Sequence, residues 1–408
     1  MTFLRPVDRR LRYGLSVAGL FLFLFCFCTG CGAKRKTTLS EENVIRETGE
    51  STVESVTWSE LAPEGEIPVE DATLFQIDTY SQGYRLMTLG EEREQQEQYL
   101  VVPEDAPIPT EVPENVTVLR QPLDQIYLVS TSVMDLVCAL DGLENVQFTG
   151  TETNGWYVEE AKAALEDGSL VYAGKYSAPD YELLLSQGCD LAIENTMIFH
   201  SPEVTEQLQK LGIPTLVEYS SYEKSPLGRL EWLKLYGTLL GKEEQAAAYF
   251  EKQKELALSA CQESTGKSVA FFYLTANGGV NVRKSNDYIA TMIQWAGGTY
   301  LPDVSVLPPD ENALSTCNIQ MEAFYESARD ADILIYNSTI EGELATLEDL
   351  LAENPLLADF KAVKEGKVWC SRKSMFQKST GIARILLDFQ EMLGENPGDK
   401  LTYFYRLK

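Results

Sequence analysis

From residue 123 onward, short apolar runs alternate with stretches whose apolar residues recur every three to four positions. The runs Ile126–Ser130, Val146–Thr149, Leu170–Tyr172, Asp190–Glu194 and Pro214–Glu218 read as strands. Helical periodicity fills the intervals near 132–142, 157–166, 180–187 and 202–211. Gly188 and Gly212 stand where helix ends are expected, and Pro214 blocks continuation. Alternation of this kind predicts parallel βα units.

A break in that rhythm follows. Ser225-Pro226 supplies an N-cap and a first-turn proline. The helix they open runs through Leu227, Leu230, Leu233, Tyr236 and Leu240 to Gly241. A second helix is predicted over 242–263, rich in helix formers and free of Gly and Pro. A new βα series then starts: strands at Val269–Thr275, Asp332–Tyr336 and Lys367–Cys370, helices near 286–296, 320–328 and 380–393. The expected fold is α/β, with an N-terminal lobe over 71–241, a linker helix over 242–263 and a C-terminal lobe over 264–408. Within the first lobe, 71–123 carries strand-like runs ("LFQI", "YRLMTL", "QYLVVP") between proline turns and reads as a β-rich lead-in. Residues 31–70 are polar, acidic and without apolar periodicity, the pattern of a flexible tether.

The N-terminus has its own pattern. Arg5, Arg9, Arg10 and Arg12 precede an apolar run from Leu15 to Cys28, the length of a signal-peptide core and short for a membrane span. Cys28-Thr29-Gly30-Cys31 resembles the bacterial lipobox. The resemblance implies removal of residues 1–30 and a diacylglyceryl thioether on Cys31. Two acyl chains suffice for stable anchoring where one is marginal. The mature chain is then expected on the extracytoplasmic face of the cell membrane.

Charge narrows the partners. The chain has 34 basic and 62 acidic residues, and residues 1–30 hold 4 and 1 of them, leaving 30 against 61 and a net charge of −31 in the mature chain. Nucleic acid is bound by neutralising phosphates with Lys and Arg, so it is excluded as a partner. Five cysteines follow the lipobox (Cys138, Cys189, Cys261, Cys317 and Cys370), widely spaced and without a C-x-x-C pair. They read as small buried hydrophobes rather than a disulfide scaffold or a zinc site.

Several segments together resemble the substrate-binding lipoproteins of iron-complex and cobalamin ABC importers, the helical-backbone class of periplasmic binding proteins. They are "DYELLLSQGCDLAIE", "LQKLGIPTLVE", "LYGTLLGKEEQAAAYFEKQ", "MIQWAGGTYL", "DADILIYN" and "FKAVKEGKVW", in the family's order over about 123–394. The resemblance implies two Rossmann-like lobes joined by a single rigid helix, with the ligand in the cleft between them. It implies a small-molecule metal chelate as ligand, a membrane permease dimer as partner and a monomeric binding protein without cofactor. Cys189 stands where the family often has proline, and the 71–123 segment is longer and more β-like than usual.

Ligands of open α/β sheets bind beyond the carboxyl ends of strands. That rule selects Ser130, Thr131 and Ser132, Trp156, Lys175 and Tyr176, Asn195 and Thr196, and Tyr222 in the first lobe, and Arg283, Asn337 and Arg372 in the second. Ser130 to Ser132 precede a helix, so their hydroxyls serve equally as caps. Lys175, Arg283 and Arg372 suit an anionic chelate or a solvated surface, and Trp156, Tyr176 and Tyr222 suit stacking or ordinary packing. By the resemblance, Glu182 and Glu322 pair with permease arginines. His200, the single histidine, reads as a helix-entry residue, which leaves no donor set for a bare metal ion.

An exported hydrolase is the contrasting reading. The chain has no Gly-x-Ser-x-Gly elbow and no H-E-x-x-H, and one histidine leaves little for nucleophile–base chemistry. A surface sensor of the same fold without transport remains open at this stage. The lipobox reading yields a direct expectation: Cys31→Ser leaves the protein unlipidated and released or unprocessed. Membrane fractionation with N-terminal sequencing checks this, and a membrane-bound variant with a normally cleaved N-terminus refutes it.

Overall fold

The computed structural model describes residues 55–90, 96–303 and 315–408. Three sheets follow in chain order. The first comprises β1 (Pro63–Glu66), β2 (Phe75–Tyr80), β3 (Arg85–Leu89), β4 (Glu97–Val102) and β5 (Val116–Arg120), hydrogen-bonded in that sequence. Its strands pair antiparallel except β4 with β5. The lead-in is therefore a complete sheet. The tether expected over 31–70 is corrected from residue 55: Trp58–Glu60 form a turn of helix and β1 is an edge strand. The lipobox and the rest of the expected tether lie outside the described residues.

The second sheet holds β6 (Ile126–Leu128), α1 (Thr131–Ala139), β7 (Val146–Thr149), α2 (Glu159–Asp167) and β8 (Val171–Tyr172). A small hairpin of β9 (Gly174–Lys175) and β10 (Ala178–Pro179) leads to α3 (Tyr181–Ser186), β11 (Leu191–Asn195), α4 (Pro202–Lys210) and β12 (Thr215–Glu218). The order β12-β11-β6-β7-β8 is parallel throughout. Two helices follow, α5 (Pro226–Leu239) and α6 (Glu243–Ser259).

The third sheet is mixed. It comprises β13 (Ser268–Leu274), β14 (Val280–Arg283), α7 (Tyr288–Trp295), β15 (Thr299–Leu301), β16 (Thr316–Ile319), α8 (Met321–Ala328) and β17 (Ile333–Tyr336). After these come α9 (Leu347–Glu353), α10 (Lys361–Lys364), β18 (Val368–Ser371), α11 (Ile382–Leu393) and β19 (Phe404–Arg406). The order is β16-β14-β13-β17-β18-β19, with β15 also on β13. Central strands are apolar on both faces because both are covered. Val269 and Phe271 of β13 enter the large core around α5, while Ala270, Phe272 and Leu274 enter a second core under α8.

Helix α5 is the centre. Every residue but Arg229 is buried, so it is packed on all sides, as a helix apolar all round must be. Gly237 permits this: a Cβ there would come within 2.5 Å of Ala246 Cβ on α6. The first sheet packs Phe75, Ile77, Met87 and Leu89 into the same core, and Phe75 meets Trp232 edge-on at 5.1 Å.

An acid on α5 fixes that sheet. The Glu231 carboxylate, fully buried, accepts the backbone N–H of Glu70 (3.0 Å), Asp71 (2.7 Å) and Ala72 (2.8 Å). Lys234 Nζ donates to it at 2.7 Å and to the Pro68 carbonyl at 2.7 Å. Removing one partner of a buried, hydrogen-bonded charge leaves the others desolvated and unpaired. Glu231→Ala is therefore expected to cost about 3–5 kcal/mol in denaturant unfolding. A loss below about 1 kcal/mol, the range of an exposed ion pair, contradicts this assignment.

Candidate functional site

The sheet rule places the loops after β6, β7, β11 and β12 at one end of the second sheet. There they divide between two environments. Residues 377–380 run along α1 and the loop after β7. Gln377 Nε2 donates to the Gly155 carbonyl (2.8 Å), and Gln377 Oε1 accepts Tyr157 N–H (2.7 Å). Ser379 Oγ donates to the Ser132 carbonyl (2.7 Å), and Thr380 N–H to Asp135 Oδ2 (2.8 Å). Lys378 Nζ pairs with Asp135 Oδ1 at 3.0 Å. This polar seam joins the second and third sheet units.

The other environment is a cavity of about 610 Å³. Thr196 and His200 after β11, and Tyr219 and Ser221 to Lys224 after β12 (Glu223 among them), line one side. Asn286, Asp287 and Ser315 come from the third sheet's unit, and Thr73, Leu74 and Gly90 from the first sheet. Thr196 Oγ1 and Tyr222 Oη lie 2.6 Å apart. Phe199, exposed at the rim, tilts toward Tyr219 with centroids 6.4 Å apart. Beside the cavity, Arg229 lies over the Tyr288 ring at 3.9 Å and donates from Nη1 to the Ser221 carbonyl (2.6 Å). Arg283 pairs with Asp287 (3.7 Å) and stands 4.8 Å from the centroid of Phe376.

Of the residues expected to meet ligand, the structure brings Thr196 and Tyr222 to the cavity and sets Arg283 behind Asp287. Arg283 is corrected from a free cation to the partner of a buried acid. Burial raises the Asp287 carboxyl against the pull of Arg283. Ser130 is at the N-cap of α1 without a side-chain cap bond. The capping reading gives way to an acid: Ser130 Oγ (2.5 Å) and Ser132 Oγ (3.2 Å) both donate to the buried Glu218. Thr131 opens α1, half-buried. Trp156 is corrected to a core residue, 2% exposed, its indole N–H on the Thr151 carbonyl.

Asn337 is likewise buried and accepts from Thr339 N–H and Oγ1. Lys175 is exposed on the β9–β10 hairpin, and Tyr176 is half-buried against the core around Tyr127. Asn195 Oδ1 accepts Met197 N–H. Arg372 lies 5.2 Å from the Tyr405 centroid, in a separate depression shared with Glu343, Asp399 and Lys408. Sequence reasoning missed Asp287, Asn286, Tyr219 and the cavity position of His200. The lone polar residues among them carry no pattern, and Asp287 reads locally as the N-cap of α7, which it also is.

Glu182 and Glu322 are both exposed, each the second residue of its helix. Helix α3 crosses between the parallel strands β8 and β11. Helix α8 crosses between β16 and β17, which run parallel because each is related through β14 and β13. A crossover helix begins at the carboxyl ends of its strands, so both glutamates stand at that end of their sheets. Among the described residues, no group of three or more His, Cys, Asp or Glu is placed to hold a metal ion. Cys189 and Cys370 are buried, Cys138 half-buried, and Cys261, against expectation, exposed. Burial pushes the Cys138 and Cys189 thiols up to about 12.

With the geometry in view, comparison with known proteins decides the family. A family model described as periplasmic binding protein matches residues 126–373. The chain belongs to the periplasmic binding protein family. The match starts at β6, so the first sheet lies before it. An uncharacterized lipoprotein of Methanocaldococcus jannaschii is 26% identical to this binding protein over 299 residues, 69% of this chain and 68% of the relative. The fold of this chain is also that of a periplasmic heme binding protein from Pseudomonas aeruginosa, with TM-score 0.53 at 18% identity over 70% of this chain and 98% of the other. A petrobactin-binding protein from Bacillus subtilis gives TM-score 0.52 at 12% identity over 67% and 93%. The two-lobed α/β architecture expected from the sequence is thus that of the family.

One buried acid borders the site. Glu194, next to Asn195 and Thr196, is fully buried with neither carboxylate oxygen hydrogen-bonded, and desolvation pushes it up from 4.5 to about 8. The unfolded chain releases this proton near 4.5 and the folded one near 8. Its contribution to stability is therefore complete below about 4.5 and lost as pH rises through about 8. Melting temperatures of wild type and Glu194→Gln between pH 5 and 9 are expected to diverge, the wild type losing ground as pH rises. Parallel curves contradict a buried, neutral Glu194.

Proposed function

We propose that this binding protein is the ligand-capturing lipoprotein of an ABC importer, tethered through Cys31 at the extracytoplasmic face of the membrane. Its cargo is a metal chelate of the iron-siderophore, haem or cobalamin kind. The observation that carries this is the cavity set between the two α/β units of a chain belonging to this family. Phe199, Tyr219 and Tyr222 offer ring faces, Thr196 and Ser221 hydroxyls, and Lys224 a cation. Asp287 is already paired with Arg283, and Glu223 with backbone N–H groups, so neither repels an anion as a bare carboxylate would. A chelate brings its own metal ligands, which suits a chain with one histidine. The relatives' names, lipoprotein in the archaeal protein and heme- or petrobactin-binding in the solved ones, point the same way.

Delivery needs a permease. Glu182 and Glu322, one per lobe at the carboxyl ends of the two sheets, suit simultaneous pairing with arginines of a two-fold permease dimer. Exposed charge pairs of this kind set orientation and association rate more than ligand affinity. Native mass spectrometry of protein from its own host is expected to show a retained metal chelate. A retained sugar, peptide or amino acid refutes the ligand class. Converting Glu182 and Glu322 together to Arg is expected to abolish uptake in reconstituted vesicles while ligand affinity stays unchanged. Wild-type uptake by the double variant refutes the docking role, and with it the distinction from a non-transporting sensor.

A further inference from the structure

The family match begins at Ile126, yet one wall of the cavity comes from residues before it. Thr73 and Leu74, leading into β2, and Gly90, just past β3, form that wall. It is fastened from below. Glu223, 2% exposed, accepts Thr73 N–H (2.9 Å), Thr73 Oγ1–H (3.0 Å) and Leu74 N–H (3.0 Å), and Trp232 Nε1 donates to it at 3.1 Å. Immediately upstream, Glu231 holds the three preceding N–H groups. Gly228 lets the strap lie against α5: a Cβ there would come within 2.6 Å of the Asp71 carbonyl oxygen. Residues 70–74 therefore keep a fixed register against Ser220–Tyr222, the turn that carries the cavity's Tyr222.

A sheet appended only for spacing has no use for a carboxylate that ties it to the residue beside Tyr222. Thr73, exposed, lines the cavity together with Leu74, and its hydroxyl is spent on Glu223. Both cavity acids are satisfied within the protein, and the groups left facing the space are rings, hydroxyls, an amide and Lys224. We infer that the first sheet is a specificity element of the ligand site, closing its third side so that it admits an aromatic anion. Glu223 acts as the positioning residue that sets the strap's height over Tyr222. The inference rests on reading this cavity as the ligand site.

Three probes test it on the full mature chain: 1-anilinonaphthalene-8-sulfonate as a generic aromatic anion, haemin, and a ferric tris-catecholate. The sulfonate is expected to bind saturably to the wild type. Thr73→Trp, which fills the space from the strap side, should weaken it by about tenfold or more, the scale of overpacking a filled site. A second measurement avoids dependence on the bulky variant's folding. In Thr73→Cys, saturating probe should protect residue 73 from alkylation, read by mass spectrometry, while exposed Cys261 reacts at an unchanged rate.

Equal labelling of residue 73 with and without probe overturns the inference, as does wild-type affinity in Thr73→Trp. If the two iron compounds bind and the Thr73 variants leave them unaffected, the chelate reading stands and the specificity wall falls. If only the sulfonate binds, with Thr73 dependence, the wall stands and the chelate reading falls. No saturable binding of any probe overturns both.

Discussion

Helix α5 is buried on all sides, and that single constraint orders the rest. A helix without a solvent face must find partners around its whole circumference. The first sheet, α1, α6, α7 and α11 supply them, and their apolar faces merge into one core. Burial on that scale leaves polar residues of α5 nowhere to reach water. Glu231 and Lys234 consequently satisfy each other and the backbone of 68–72, which turns an electrostatic liability into a fixed contact between sheet and helix.

The same contact shapes the site. The two α/β units meet on one side through the polar seam at 377–380 and leave a cavity on another, where the strap at 70–74 reaches in. Arg229 and Arg283 flank Tyr288 next to this cavity, both as cation–π partners. Their charges face Asp287 and a carbonyl, so they brace the wall of the site from behind.

The parallel units were legible because strands covered on both faces are apolar at consecutive positions, as Phe271 and Phe272 show. Helix ends were legible from Ser225-Pro226, Gly188 and Gly212. Arg283, selected as a position beyond a strand, is instead the last residue of β14, whose four residues, two of them polar, follow Gly278 and Gly279 without a strand pattern. β15 and β19, three residues each, are too short to show a period. The site was harder. Position after a strand selects Trp156 and Asn337 as readily as Thr196, because chain position says nothing about whether a side chain turns inward. The hold of Glu223 and Glu231 on the strap has no local signal: the N–H groups they accept lie about 150 residues away and are identical in every residue type except proline.

The seam between the units consists of hydrogen bonds among Gln377, Lys378, Ser379, Thr380, Asp135 and backbone groups. Separating it would return polar groups to water, but the units also share the apolar core in which α1, α5, α7 and α11 meet. Polar exposure lowers heat capacity and apolar exposure raises it. Parting the units would thus expose both kinds of surface, and its apolar share would raise heat capacity and denaturant sensitivity. The polar seam alone, by contrast, could open with little apolar exposure, since its bonds are to side-chain and backbone polar groups.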